Sequence, residues 1–201
     1  MSFKDRQVPG HLLLILGPSG SGKGTVLRYL RENYPDAVFP LSCTTRDPRE
    51  GEVEGEVYLF VSKEEFEARI EKGDFLEYAI VHGTNYYGTL KESILSPMEE
   101  GKLVIREVDV QGLRSIRDLV HPENLSSIFL TVDSWGTLRN RIVSRAEISD
   151  EELERRRQSF LMEMEWAKEV DHVIVNQDGK LEETFDSLNG VLKAFGGDHS
   201  Q

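Results

Sequence analysis

The chain has 201 residues, enough for one substantial core or for a core carrying a small inserted lobe. Its net charge of −12 argues against nucleic acid or an anionic membrane as a general partner, so an anionic ligand must be met by a local cluster of cations. A single cysteine, Cys43, excludes an internal disulfide and fits a reducing, cytoplasmic setting. No stretch approaches the ~20 apolar residues a membrane helix needs, and the short apolar run after the polar start is too brief for a signal peptide.

Leu12-Leu13-Leu14-Ile15-Leu16 reads as a central parallel strand, apolar on both faces. Gly17-Pro18-Ser19-Gly20-Ser21-Gly22-Lys23-Gly24-Thr25 follows, and Val26, Leu27 and Leu30 mark the inner face of a helix expected over 23–33, ended by Pro35-Asp36. Strand, glycine-rich turn and helix in this order form the context of a phosphate-cradling loop. Glycines at 17, 20 and 22 let backbone N–H groups turn inward. The helix start adds free N–H groups and the positive end of its dipole, and Lys23 sets a cation against the β- and γ-phosphates. Gly24 stands where Ser or Thr usually follows the lysine, as in adenylate-kinase-like loops reading G-K-G-T, which moves the candidate magnesium hydroxyl to Thr25.

Val38 to Leu41 is expected as a short second strand. Ser42 to Glu52 is polar and turn-rich, and it leads into a half-buried strand over 56–61. Ser62-Lys63-Glu64-Glu65 is a capping box for a helix that runs to Lys72 and stops at Gly73, with Phe66 and Ile70 facing inward. Phe75 to Val81 is a strand, His82 to Asn85 a turn, and Tyr86 to Thr89 a returning segment. The span from about 42 to 88 thus reads as a β-rich lobe inserted into an α/β core. A helix follows from Leu90, kinked near Pro97 and ended by Gly101. Leu103 to Val108 is a strand ending in Asp109, and 110–119 is helical. Ser127–Val132 and His172–Val175 are strands. Helices are expected over 135–145, from a Ser149 cap to about Glu169, and over 181–195. Met162, Met164 and Trp166 read as packing residues, and 196–201 as a frayed tail. Strands alternating with helices predict a doubly wound parallel sheet that binds ligands at its carboxyl edge, where the 17–25 loop lies.

Arg46 and Arg49 sit three apart in a proline-containing loop and can converge on one phosphate, with Tyr58 adding a phenolic donor. The pattern Ser-x-Thr-Thr-Arg-x-Pro-Arg-x-Gly-Glu-x-x-Gly-x-x-Tyr, present as Ser42 through Tyr58, resembles the signature of guanylate kinases. The likeness runs from about His11 to Phe195. It includes Phe75-Leu76-Glu77, Tyr86-Tyr87-Gly88-Thr89, Val108-Asp109-Val110-Gln111-Gly112, Arg141-x-x-x-Arg145 and Val173-Ile174-Val175-Asn176.

The resemblance implies magnesium-dependent transfer of a phosphoryl group from ATP to GMP, giving ADP and GDP. It implies a core (about 1–41, 89–140 and 161–197), a GMP-binding lobe (about 42–88) and a helical lid (about 141–160). Gly17 to Thr25 and Asn176 would bind ATP. Arg46, Arg49, Tyr58 and Tyr87 would hold the GMP phosphate, Ser42, Glu77 and Thr89 would read guanine, and Glu52 would support the arginine loop. Asp109 would order magnesium beside GMP. Lys23, Arg141, Arg145 and Arg156 would surround the transferred phosphoryl group, although Arg155 and Arg157 flank Arg156 with the same chemistry. The Glu77 role agrees with guanine's adjacent N1–H and N2–H₂ donors, both of which a carboxylate can accept. Glu107, where the family often has Asp, either pairs with Arg106 or lies near the ribose or base of GMP. Two alternatives share the resemblance: an inactive guanylate-kinase-like interaction domain, and a kinase for another phosphorylated acceptor.

Overall fold

The computed structural model describes residues 3–49, 51–53, 55, 58–81, 85–144 and 147–195. The chain divides into two compact units, one of 1–12, 38–106 and 111–125, the other of 13–37, 107–110 and 126–201.

A parallel sheet of four strands has the order β6-β1-β7-β8, built from β1 (His11–Leu16), β6 (Leu103–Glu107), β7 (Leu125–Thr131) and β8 (His172–Val175). The unbroken apolar run makes β1 a fully enclosed strand: Leu12 to Leu16 are all at 0% exposure, as a strand covered on both faces requires. β7 and β8 pair in parallel from Ile128 opposite His172 to Thr131 opposite Val175. Helix α1 (Lys23–Asn33) leaves the loop after β1 with Val26, Leu27 and Leu30 buried, the face its spacing prescribes.

A second, mixed sheet has the order β3-β2-β5-β4. Strand β2 (Ser42–Thr44) runs parallel to β3 (Tyr58–Phe60) and antiparallel to β5 (Asn85–Leu90), which pairs antiparallel with β4 (Phe75–Val81). This sheet packs on α2 (Lys63–Lys72) through Cys43, Phe66, Phe75 and Leu90, with the Phe66 and Phe75 rings stacked at 4.2 Å. Ser62 caps α2 by accepting from the Glu65 N–H, and Gly73 ends it at a φ of 72°.

Several boundaries differ from expectation. Residues 38–41 form no strand. Val38 makes one parallel bridge to Val104, bonded to Leu103 and Ile105, and Pro40 has no N–H with which to extend the ladder. The polar Ser42–Thr44 is instead the strand. Leu90 belongs to β5, opposite Phe75, and α3 begins at Glu92 and runs through Pro97 to Glu99. Pro97 falls in the last turn, where it removes the i→i−4 bond to the Ser93 carbonyl, and the helix ends two residues later. α4 covers Val110–Arg117 and α5 Trp135–Val143. The Ser149-capped α6 ends at Met164 and tightens into a 3₁₀ turn over Glu165–Lys168. Met162 is 62% exposed, so it is not a packing residue, whereas Met164 packs against Val132, Leu138 and Phe160. α7 covers Leu181–Lys193. Expectations at 56–57, at the 82–84 turn and in the 196–201 tail lie outside the described residues. No helix among the described residues is long and apolar enough to cross a membrane.

Candidate active site

The 17–25 loop bends through glycines at φ values only glycine adopts easily, 144° at Gly17, 93° at Gly20 and 104° at Gly22. Space enforces the same choice. A Cβ at Gly17 would stand 2.0 Å from the Leu130 carbonyl oxygen, and one at Gly22 2.3 Å from Asn176 Nδ2. Lys23 is 13% exposed; its Nζ donates to the carbonyls of Gly17 (2.6 Å) and Pro18 (3.1 Å) and lies 3.6 Å from Glu107. The lysine thus rests against its own loop, with Glu107 as its counter-ion.

Arg141 joins this loop to the residues after β8. Its guanidinium donates to the Ser21 carbonyl (3.2 Å), the Asn176 carbonyl (2.8 Å) and Asp178 Oδ1 (2.8 Å), and Asn176 Nδ2 donates to the Ser21 carbonyl (2.8 Å). Gly22, Thr25, Arg141, Asn176 and Asp178 line one open pocket of about 300 Å³. A second pocket, about 260 Å³, is lined by Pro18, Ser19, Leu138, Arg156, Phe160 and Glu163. Arg156 pairs with Glu152 at 2.9 Å, Arg155 pairs with the same carboxylate, and Arg157 pairs with Glu154. Of these three arginines, Arg156 is the one on the wall of the loop's pocket. Burial pushes the Glu163 carboxyl above the usual range, against the opposing pull of Lys23. Arg145 lies outside the described residues.

The other cationic group belongs to the mixed sheet. Arg46 is forked onto Glu52, with its Nη2 2.8 and 3.0 Å from the two carboxylate oxygens. Glu52 also accepts from the Arg49 N–H (2.8 Å). That backbone bond first, and the Arg46 bond second, hold the Glu52 carboxyl below its ordinary range. The Arg46 guanidinium lies over the rings of Tyr58 (5.5 Å) and Phe60 (5.6 Å), and the Tyr87 ring meets that of Tyr58 edge-on. Arg49 is exposed beside this assembly.

On the same sheet Glu77 stands opposite Thr89, and Thr89 Oγ1 donates to Glu77 Oε1 at 2.6 Å. The structure therefore brings Ser42, Glu77 and Thr89 into one network, with a member the sequence reading left open. Arg106 reaches Ser42 and Thr89. Its signal was a charge directly after the apolar Leu103-Val104-Ile105, since a charge leaving water must find partners. Asp178, the carboxylate holding Arg141, sits in an ordinary polar turn and gave none. Glu107 lies 3.6 Å from Lys23 Nζ.

The family model for guanylate kinase matches residues 10–195. The chain belongs to the guanylate kinase family. Among similar guanylate kinases, that of Wolinella succinogenes is 47% identical over 171 residues, covering 85% of this chain and 79% of its own. That of Helicobacter pylori strain 26695 is 43% identical over 185 residues, covering 92% and 87%. The crystal structure of guanylate kinase from Anaplasma phagocytophilum superposes with a TM-score of 0.66 at 30% identity, over 94% of this chain and 87% of that one. As a guanylate kinase family member the chain is a phosphotransferase of the nucleoside monophosphate kinase class.

Thr25 and the exposed Asp109, between β6 and α4, are the hard oxygen donors nearest in kind to what magnesium takes. Among the described residues no group of three or more His, Cys, Asp or Glu could hold a metal alone. A cation here must draw most of its ligands from nucleotide phosphates and water, which is how magnesium is commonly held. The residues present fit that arrangement.

Proposed function

We propose that this guanylate kinase family member transfers the γ-phosphoryl group of ATP to GMP, releasing ADP and GDP. A phosphate oxygen of GMP attacks the γ-phosphorus, and the bond from that phosphorus to the β–γ bridging oxygen breaks, so no protein nucleophile is required. The observation that carries the reading is the joint presence, in a chain of this family, of an intact phosphate loop with Lys23 and a carboxylate–hydroxyl network suited to guanine.

In this reading the backbone N–H groups of 17–25 cradle the ATP phosphates, and Lys23 leaves the Gly17 and Pro18 carbonyls for the β- and γ-phosphates. The Thr25–Arg141–Asn176 pocket takes further parts of ATP, and Arg141 and Arg156, with Arg145, offset charge on the equatorial oxygens. These three arginines belong to a lid of about 141–160, distinct from a core and from an acceptor lobe of about 42–88. Arg46, Arg49, Tyr58 and Tyr87 hold the GMP phosphate, and Glu52 keeps Arg46 and the Arg49 backbone in place. Glu77 accepts from guanine N1–H and N2–H₂. Adenine lacks that donor pair and leaves the carboxylate unpaired, a discrimination of about 10⁴-fold or more in sites of this kind. Thr25 and Asp109 are the residues that would hold Mg²⁺, which would supply positive charge against the phosphates.

A coupled assay with ATP and GMP tests these roles. Lys23→Met is expected to lower kcat by about 10²-fold or more. Arg49→Ala is expected to raise the KM for GMP by about tenfold or more while leaving that for ATP near its original value. Two variants that phosphorylate GMP normally would overturn the assignment.

A further inference from the structure

Arg106 ends the apolar run of β6 and turns its guanidinium onto three oxygens. One terminal nitrogen donates to the Pro40 carbonyl at 2.7 Å. The other donates to Ser42 Oγ at 2.8 Å and Thr89 Oγ1 at 2.6 Å. A guanidinium carries donors only and cannot be deprotonated in a protein. Both hydroxyls therefore accept from Arg106, and each must send its own proton elsewhere. For Thr89, 1% exposed, the destination is visible: Glu77 Oε1 at 2.6 Å.

We propose that Arg106 is a positioning residue that sets the hydrogen-bond polarity of the acceptor-base site and so selects purines with a 6-oxo group. The inference rests on the guanine-binding reading of Ser42, Glu77 and Thr89. Two consequences of the bond directions carry it. The Thr89 proton pins one oxygen of Glu77 and fixes the carboxylate, leaving its remaining acceptor capacity for the N1–H and N2–H₂ edge. Ser42, with one lone pair committed to a cation, is polarised toward donating. A donor suits the 6-oxo oxygen of guanine. A 6-amino group would bring its own protons toward a hydroxyl already facing a guanidinium. Arg106 touches no reacting atom in this scheme and acts through the two hydroxyls.

The test compares GMP with 2-aminopurine riboside monophosphate, which keeps the 2-amino group and lacks both the 6-oxo oxygen and the N1–H that accompanies it. Arg106→Met is expected to lower kcat/KM for GMP by about tenfold or more, chiefly through KM, with the KM for ATP within about twofold of the parent. The loss for the 2-aminopurine nucleotide is expected to be much smaller, so the preference for GMP collapses. Arg106→Lys keeps the charge but cannot span three oxygens as a fork, and is expected to fall between Met and the parent. It also decides the matter if the methionine variant fails to fold. Equal losses for both nucleotides, or an unchanged preference in folded variants, would overturn the proposal. Glu77→Gln separates the two levels. If it leaves GMP turnover intact, the guanine-site reading itself is wrong. If it impairs GMP while the Arg106 variants keep the parental preference, the role of Arg106 alone falls.

Discussion

Gly22 and Gly24 lie two residues apart in the phosphate loop and have opposite reasons to be glycine. Gly22 has φ 104° and no room, since its Cβ would meet Asn176 Nδ2 at 2.3 Å. Gly24 is exposed within the first turn of α1, at an ordinary φ, and a Cβ there meets nothing within 4 Å. Glycine in a helix is roughly 0.5–1 kcal/mol less favourable than alanine. Gly24→Ala is therefore expected to raise the melting temperature of the free protein by a few degrees, and Gly22→Ala to lower it. Parallel thermal melts check both, and a destabilised Gly24→Ala variant would show that the free loop needs glycine there. The sequence made all the loop glycines look alike, because the pattern records where they stand and not what stands opposite. Arg106 shows the same boundary of legibility. Its charge was conspicuous among Leu103, Val104 and Ile105, but its partners are 17, 64 and 66 positions away, and nothing local encodes them.

At the scale of elements, what is local was legible and what depends on distant partners was not. The Ser62 cap and the Gly73 stop of α2 were readable because each signal acts within one turn. Strand β2 was misplaced by a few residues because Ser42–Thr44 becomes a strand only through β3 and β5, while the more apolar Val38–Leu41 lacks a continuing partner. The arginine loop is an element of the first kind. Arg46 to Glu52 close a ring through the Arg46–Glu52 fork and the reciprocal bonds between Arg49 and Glu52. Because the Glu52 carboxyl is held below its ordinary range, the folded state binds fewer protons here than the unfolded chain. Its stabilisation is complete above the unfolded carboxyl value, about 4.3, and is lost as pH falls through the lower folded value. The melting-temperature gap between the parent and Glu52→Gln is expected to be constant from pH 8 to about 5 and to shrink only below about 4. A gap that closes between pH 7 and 5 would mean that Glu52 is not held by these bonds.

For the whole molecule, the two cationic groups proposed to bind anions fall in different compact units, so their ligands can be told apart by where each one rigidifies the chain. The phosphate loop, Arg141, Arg156 and Asn176 belong to the unit of 13–37, 107–110 and 126–201. Arg46, Glu52, Glu77 and Thr89 belong to the other. A ligand that binds only the folded state stabilises it by RT ln(1 + [L]/Kd), about 2.7 kcal/mol at a hundredfold excess over Kd. That stabilisation slows amide exchange most where the ligand's own partners open. GMP alone is expected to protect amides in β2, β4, β5 and the 46–52 loop. A non-hydrolysable ATP analogue with magnesium is expected to protect 17–26 and the segment around 174–179. The net charge of −12 sharpens the expected contrast, because an acidic surface gives nucleotides no general hold and leaves the arginine and lysine clusters as the places where they would bind. Hydrogen-exchange mass spectrometry with each ligand separately reads both patterns in one experiment. Protection of 17–26 by GMP, with β2 and β5 unaffected, would reverse the donor and acceptor assignments and with them the role given to Glu77.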